Sequence, residues 1–258
     1  MLPAHRQRSH RVGFEWGLRG AEAVTGDADV AVVVDVLSFT TTVSVALDAG
    51  VVILPHRWAD PTASSYAAEH HAALAVSRRQ GAPGRYSLSP RSLRGVELPE
   101  RLVLPSANGA TIALEVAALT PACSAACLRN ASAVADWIAG RYTPRATVAI
   151  VAAGERWQDG TLRPAVEDLW GAGAVIAGLL TAGFDGLSPE AELACHGYES
   201  VRGRELEALS GCASGRELVD AGYRGDVELA AEVDTSAAVP LLVDGDWFVP
   251  AGSFSPPG

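Results

Sequence analysis

Apolar positions fall into short runs separated by amphipathic stretches, which is the spacing of alternating strands and helices. Val30 to Leu37 is a near-continuous β-branched run, the pattern of a strand covered on both faces. A helix is predicted over Thr40 to Asp48, ended by Gly50. Val51 to Leu54 reads as the next strand, and Asp60 to Arg78 as a helix begun by Asp60 with Pro61 in its first turn. Gly81 to Pro99 is rich in Gly, Pro, Ser and Arg without a period, so it reads as a long surface loop. The alternation resumes with a strand at Leu102 to Leu104, a helix over Gly109 to Leu119, a strand near Cys123 to Leu128 and a helix over Ser132 to Gly140. Thr147 to Ala152 is a further apolar strand, followed by a loop over Gly154 to Pro164 and a long helix from Ala165 to Ala182. Helical segments continue to about Ala221, and the apolar pairs around Leu241 to Val243 and Trp247 to Val249 close the pattern. The expected fold class is α/β, a mixed and largely parallel sheet flanked by helices in a three-layer α/β/α-like arrangement. No internal repeat or linker interrupts it, so residues 1–258 read as one domain with residues 1–25 at its periphery.

Composition narrows the chemistry. The chain carries a net charge of −10, unevenly spread. Residues 1–130 hold 12 arginines against 11 acids, a net +1, whereas residues 131–258 hold 8 against 19, a net −11. Such an acidic chain repels nucleic-acid phosphates, so no nucleic-acid partner is expected. Every one of the 20 basic residues is arginine. That excludes a Schiff-base lysine, a Walker lysine and a lysine general base, and leaves anion recognition to arginine, backbone amides or a metal. No apolar run is long enough to span a membrane and no signal core follows the basic segment Met1 to Arg11, so a cytoplasmic location is expected. Cys123, Cys127, Cys195 and Cys212 are too few and scattered to staple the chain and are expected to be buried thiols. Without a second Cys/His pair near Cys123 and Cys127, a zinc site is discounted.

In open α/β sheets ligands sit beyond the C-terminal ends of strands, and the polar clusters of this chain fall there. Asp35 ends the first predicted strand and is followed by Ser38, Thr40, Thr41 and Thr42. A carboxylate beside hydroxyls and free helical amides suits a cation and a phosphate, but a capping role for Thr40 explains the same residues. Ser106-Ala107-Asn108-Gly109-Ala110-Thr111 again joins a strand to a helix, as a turn or as an outward-facing set of amides. The most polar cluster is Gly154-Glu155-Arg156-Trp157, Arg163, and Glu167-Asp168 inside an otherwise apolar helix. Adjacent helix positions point about 100° apart, so at least one of these two acids faces the interior or a site, unless the helix dipole alone accounts for them. Ser214-Gly215-Arg216, with Asp226 and Asp234 downstream, offers a phosphate arginine and a further carboxylate, or surface ion pairs.

Taken in order, Val34-Asp35-Val36-Leu37 with Thr40-Thr41-Thr42, Ser106 to Gly109, Arg129-Asn130-Ala131-Ser132, Ala153 to Trp157, Arg163 to Leu169 with Gly171 to Ala174, and Gly215 to Leu218 with Asp226-Val227 and Val239-Pro240 resemble the successive blocks of the 2-phosphosulfolactate phosphatase family. The resemblance runs from about residue 30 to 250. It implies an α/β fold distinct from the common phosphatase folds, and Mg²⁺-dependent hydrolysis of a phosphate monoester on a small sulfonated hydroxy acid, on a route towards coenzyme M. A homodimer is the expected assembly. Asp35 is followed by Val36 and Leu37, so the Asp-x-Asp pair of haloacid-dehalogenase phosphatases is absent at this strand end. Two departures bear on the substrate. Where many relatives read Leu-Arg-Ala-Thr-Thr, this chain reads Leu37-Ser38-Phe39-Thr40-Thr41, without an arginine to bind phosphate or sulfonate. The glycine-rich block of the middle loop is replaced by Ser77-Arg78-Arg79-Gln80-Gly81-Ala82-Pro83-Gly84-Arg85, whose arginines are candidates to substitute, a substrate without the sulfonate being the alternative.

The site expected from these readings has Asp35, Asn108, Arg163, Glu167, Asp168 and Arg216 as catalytic residues. Thr40, Thr41, Gly109, Asn130 and Arg156 are expected to bind substrate. Mg²⁺ is expected on a subset of Asp35, Glu155, Glu167 and Asp168. The competing readings are a binding protein that holds an organic phosphate without hydrolysing it, and a phosphatase for a phosphorylated sugar acid without a sulfonate.

Overall fold

The computed structural model describes residues 2–57, 61–80 and 85–253. Its strands are β1 (Val12–Trp16), β2 (Val30–Val34), β3 (Val52–Arg57), β4 (Ala73–Leu74), β5 (Arg101–Ser106), β6 (Cys123–Ala126), β7 (Val148–Ala152), β8 (Glu155–Arg156), β9 (Leu162–Arg163), β10 (Pro240–Val243) and β11 (Trp247–Pro250). The helices are α1 (Gly17–Val24), α2 (Phe39–Asp48), α3 (Ala63–Glu69), α4 (Gly109–Ala117), α5 (Ala131–Arg141), α6 (Val166–Thr181), α7 (Pro189–Glu199), α8 (Glu205–Gly211), α9 (Ala213–Asp220) and α10 (Arg224–Ala230).

Nine strands form one mixed sheet in the order β1-β7-β2-β6-β10-β11-β3-β5-β4. β1, β7, β2 and β6 pair in parallel, as do β3, β5 and β4. The antiparallel hairpin β10–β11 joins the two groups through antiparallel pairings to β6 and β3. Helices cover both faces, as expected of an α/β fold.

β2 explains why its sequence is so apolar. All five residues, Val30 to Val34, are fully buried. Val30, Val32 and Val34 pack with α5, α6 and α7, whereas Ala31 and Val33 pack with α1, α2 and α4. Burying each valine contributes about 1.5–3 kcal/mol. Residues of β2, β7, β3 and β5 share a cluster with Phe39, Val43 and Ala46 of α2 and with Ala110, Ile112 and Val116 of α4, so both strand groups close on the same two helices.

Several boundaries differ from the sequence expectation. The strand predicted to Leu37 stops at Val34, because the Thr40 hydroxyl both donates to the Asp35 carbonyl (2.7 Å) and accepts from the Asp35 amide (3.0 Å), turning the backbone into α2. The strand predicted to Leu128 stops at Ala126, where Asn130 Oδ1 captures the Cys127 amide at 2.9 Å. Of the helix predicted over residues 60–78, Ala63–Glu69 forms α-helix among the described residues, and Arg78 opens a short 3-10 turn. His71 takes a left-handed φ of 51°, and Ala73-Leu74 instead add a strand beside β5. Asp60 and residues 81–84 of the predicted loop lie outside the described residues. Residues 12–24, beyond the alternation legible in the sequence, form β1 and α1, the loop over 154–164 contains the ribbon β8–β9, and helix continues past Ala221 as α10.

α6 sits unusually close to β2. A Cβ built on Gly171 would lie 2.6 Å from Val36 and 2.8 Å from Val34, so only glycine admits this approach. The consequence is positional: the first turn of α6, with Glu167 and Asp168, is brought against the end of β2.

Candidate functional site

Asp35, Glu167 and Asp168 are buried, and Glu155 is partly so. They meet where the chain leaves β2, β5 and β7. Asp35 Oδ1 accepts the Phe39 amide at 3.1 Å and Oδ2 accepts the Gly109 amide at 3.0 Å. Asp168 Oδ1 accepts the Val36 amide at 2.7 Å and Oδ2 the Gly154 amide at 2.9 Å, tying α6 to the ends of β2 and β7. The Asn108 amide nitrogen donates to Glu155 Oε2 at 3.0 Å, and its carbonyl oxygen accepts from Arg156 Nε at 3.0 Å. Glu167 Oε2 is buried with no hydrogen-bond partner.

The electrostatics follow from crowding four acids in a dry place. Burial, ahead of its neighbours' charges, pushes Asp35 up to about 6, despite the two amides and Arg78, which pull the other way. Burial together with Asp35 and Glu167 pushes Glu155 up to about 7, opposed by Arg163. Asp168 is raised well above the usual carboxylate range, chiefly by burial and then by Asp35 and Glu167. A positive charge brought among these acids would relieve their mutual repulsion.

The residues that could hold a cation can be sorted by their free acceptors. Both Asp168 oxygens are taken by amides, so Asp168 positions its neighbours. Glu167 Oε2 is an orphaned acceptor, and Glu155 and Asp35 face it closely enough to be repelled by it. Among the described residues no three His, Cys, Asp or Glu side chains form a ready-made metal shell. Mg²⁺ commonly keeps several waters and uses only one or two carboxylates, and this donor set fits that habit.

The remaining expected residues separate into two groups. Arg163 belongs to the site: its Nη2 donates to Ser214 Oγ at 2.8 Å, its guanidinium lies 5.9 Å from the Trp157 ring, and its charge reaches Glu155. Gly109 and Asn108 are in contact with the acids, and Arg156 braces Asn108. Thr40 and Thr41 are buried, and their hydroxyls donate to the carbonyls of Asp35 and Val36 at 2.7 Å, so they brace the turn below the site. Asn130 is also buried and bonds only to backbone and the Cys127 thiol, its NH₂ donating to Ala238 O at 3.0 Å. Arg216 is exposed on α9 and its side chain makes no hydrogen bond or ion pair among the described residues, whereas its neighbour Glu217 bears electrostatically on Glu155. Asp234 bonds Ser132, and Asp226 holds Arg78. Arg129, adjacent to Asn130, is buried between Asp48 and Glu232 as a structural ion pair.

Cys123 and Arg129 stand at Cys-x5-Arg spacing, that of a thiol phosphatase loop. The geometry denies that role. Burial alone pushes the Cys123 thiol up to about 12, and the Arg129 guanidinium is spent on Asp48 and Glu232. All four cysteines are free and buried. Of the arginines expected to stand in for the one missing at position 38, Arg78 reaches it: its guanidinium donates to Ser38 Oγ and bears on Asp35.

Fold and site together define an α/β protein with a buried carboxylate cluster beside an arginine at strand ends. The chain belongs to the 2-phosphosulpholactate phosphatase family, whose model matches residues 21–245. It is similar to a probable 2-phosphosulfolactate phosphatase of Thermus thermophilus, 34% identical over 221 residues that cover 83% of this chain and 88% of the relative. It is also similar to a probable 2-phosphosulfolactate phosphatase of Deinococcus radiodurans, 33% identical over 230 residues that cover 87% and 92%. No helix among the described residues is long and apolar enough to cross a membrane.

Proposed function

We propose that the chain is a Mg²⁺-dependent phosphatase that hydrolyses 2-phosphosulfolactate, or a closely related phosphorylated hydroxy acid, to the hydroxy acid and phosphate. The observation that carries this reading is the buried, unpartnered Glu167 oxygen within a four-carboxyl cluster that Arg163 adjoins. The names of the Thermus and Deinococcus relatives support the substrate class.

Glu167 would hold the cation, and Asp168 and Asp35, whose oxygens all accept amides, would fix the turns around it. When bound, Mg²⁺ supplies positive charge against the phosphoryl oxygens. Arg163, steadied by Ser214, neutralises further phosphate charge through its fork. Asn108 keeps Glu155 oriented, and Glu155, which titrates near neutrality, takes the proton of the attacking water. Both Asp35 oxygens accept amides, which weakens the carboxylate as a nucleophile and favours direct attack by water.

The test is phosphate release from 2-phosphosulfolactate, phospholactate and phosphorylated sugar acids, in Mg²⁺ and in EDTA. Turnover with Mg²⁺ and none with EDTA is the expected result. Tight binding across the panel with no phosphate released would overturn it in favour of a binding protein.

A further inference from the structure

Arg78 lies in the segment between β4 and β5 and is gripped from behind. Its side chain is 17% exposed and that of its partner Asp226 1%, with Nε 3.1 Å from Asp226 Oδ2. Asp226 Oδ1 in turn accepts from the Ser89 hydroxyl and from the Arg91 amide. The Tyr223 hydroxyl donates to the Arg78 carbonyl at 2.9 Å, and its ring lies 5.9 Å from the guanidinium carbon. Residues 223–226, backed by residues 89–91, therefore fix one guanidinium, and a fixed fork loses little entropy when it meets a ligand.

What the grip leaves available faces the acidic cluster. Nη2 donates to Ser38 Oγ, three residues beyond Asp35, and Nη1 has no partner among the described residues. Arg78 also lines a cleft of about 520 Å³ with Ser77, Leu88, Glu217, Leu218 and Tyr223. That volume suits a small ligand. Glu217 in the same cleft disfavours any anion that is not held against Arg78.

We propose that Arg78, with the Ser38 hydroxyl, is the anchor for the acid group that the substrate carries beside its phosphate, and so selects phosphorylated acids over simple phosphate esters. This rests on the phosphatase reading for the position of the phosphate. The unpartnered Nη1 beside the Ser38 hydroxyl offers donors to one oxyanion, a carboxylate or a sulfonate.

The experiment compares phospholactate, phosphosulfolactate and isopropyl phosphate, which has no second acid, on wild type, Arg78→Met and the double variant Arg78→Met/Asp226→Asn. The double variant removes the buried charge that the single one strands. In both variants KM for the phosphorylated acid that Arg78 holds is expected to rise at least tenfold more than KM for isopropyl phosphate, with Arg78→Lys recovering part of the loss. Loss on both acids assigns the carboxylate to Arg78, and loss on phosphosulfolactate alone assigns the sulfonate. Equal losses on all three compounds, or none, would overturn the proposal. Calorimetric binding of phospholactate and isopropyl phosphate in EDTA separates the two readings: loss of the phospholactate preference in the double variant, with no turnover in any form, would sink the phosphatase reading and leave the anchor standing.

Discussion

The Gly109 amide donates to Asp35 Oδ2 at 3.0 Å, and a Cβ at residue 109 would lie 2.5 Å from that same oxygen. The contact that orients the carboxylate thus exists only because residue 109 has no side chain. It would also lie 2.5 Å from the ring of Phe39, which is fully buried and has nowhere to go.

Gly109→Ala is therefore expected to displace Asp35, lowering kcat/KM for phosphate release by ten-fold or more. Overpacking of this kind costs about 1–3 kcal/mol, to be read from urea denaturation. Wild-type activity in a stably folded variant would remove Asp35 from the site.

Glu167→Gln replaces an orphaned buried carboxylate oxygen by an amide. Turnover is expected to fall by two orders of magnitude or more while thermal stability stays level or rises, because no hydrogen bond to that oxygen is lost. Mg²⁺ should also raise the melting temperature of the wild type and not of the variant. Full activity in Glu167→Gln would sink its assigned role.

Asp168→Asn isolates positioning from charge. The two amides of Val36 and Gly154 need two acceptors, and asparagine offers only one oxygen. An unsatisfied buried donor costs about 1–3 kcal/mol, so a drop in denaturation midpoint of that size is expected, with activity lost in parallel. An unchanged midpoint would contradict the role of tying α6 to the sheet.

The pH dependence of stability carries a definite sign. Asp35 and Glu155 hold their protons up to about 6 and about 7 in the folded state, above the value of an unfolded carboxyl. The folded state thus binds more protons than the unfolded one between about pH 4 and 7. Their stabilisation is complete below about pH 4 and is lost as pH rises through 6 and 7. Relative to wild type, Glu155→Gln in EDTA is expected to gain stability from pH 5 to pH 8, as followed by thermal melts. A constant difference across that range would show that Glu155 is not crowded by Asp35 and Glu167.

Much of this was legible before any coordinates. β2 is five valines and alanines buried on both faces, and such a strand announces itself; so do α4, α5 and α6, whose apolar periodicity is unbroken. The acids of the site were legible because Asp35 follows a strand, and Glu167 and Asp168 stand in an apolar helix. Local spacing could not show that Thr40 and Thr41 turn inward onto carbonyls, that Asn130 is spent on backbone, or that Arg216 points to solvent. Those outcomes depend on which neighbour folding brings. Arg78 illustrates the point, since its partners Ser38 and Asp226 are 40 and 148 positions away. β4 was hidden for a related reason: two residues are too short to carry a period, and only the free edge of β5 makes them a strand.

The hairpin β10–β11 is the last pair of the nine-stranded sheet to leave the ribosome, yet it occupies the middle of it. Until residues 240–250 emerge, β6 and β3 each present an open edge, and the two parallel groups have no strand between them. A nascent chain halted short of residue 240 would carry the whole carboxylate cluster on an unsealed sheet with two edges free to recruit strands from its neighbours. Translation of the final stretch is thus a step of assembly, and a premature stop there should yield aggregate more readily than a weakened enzyme.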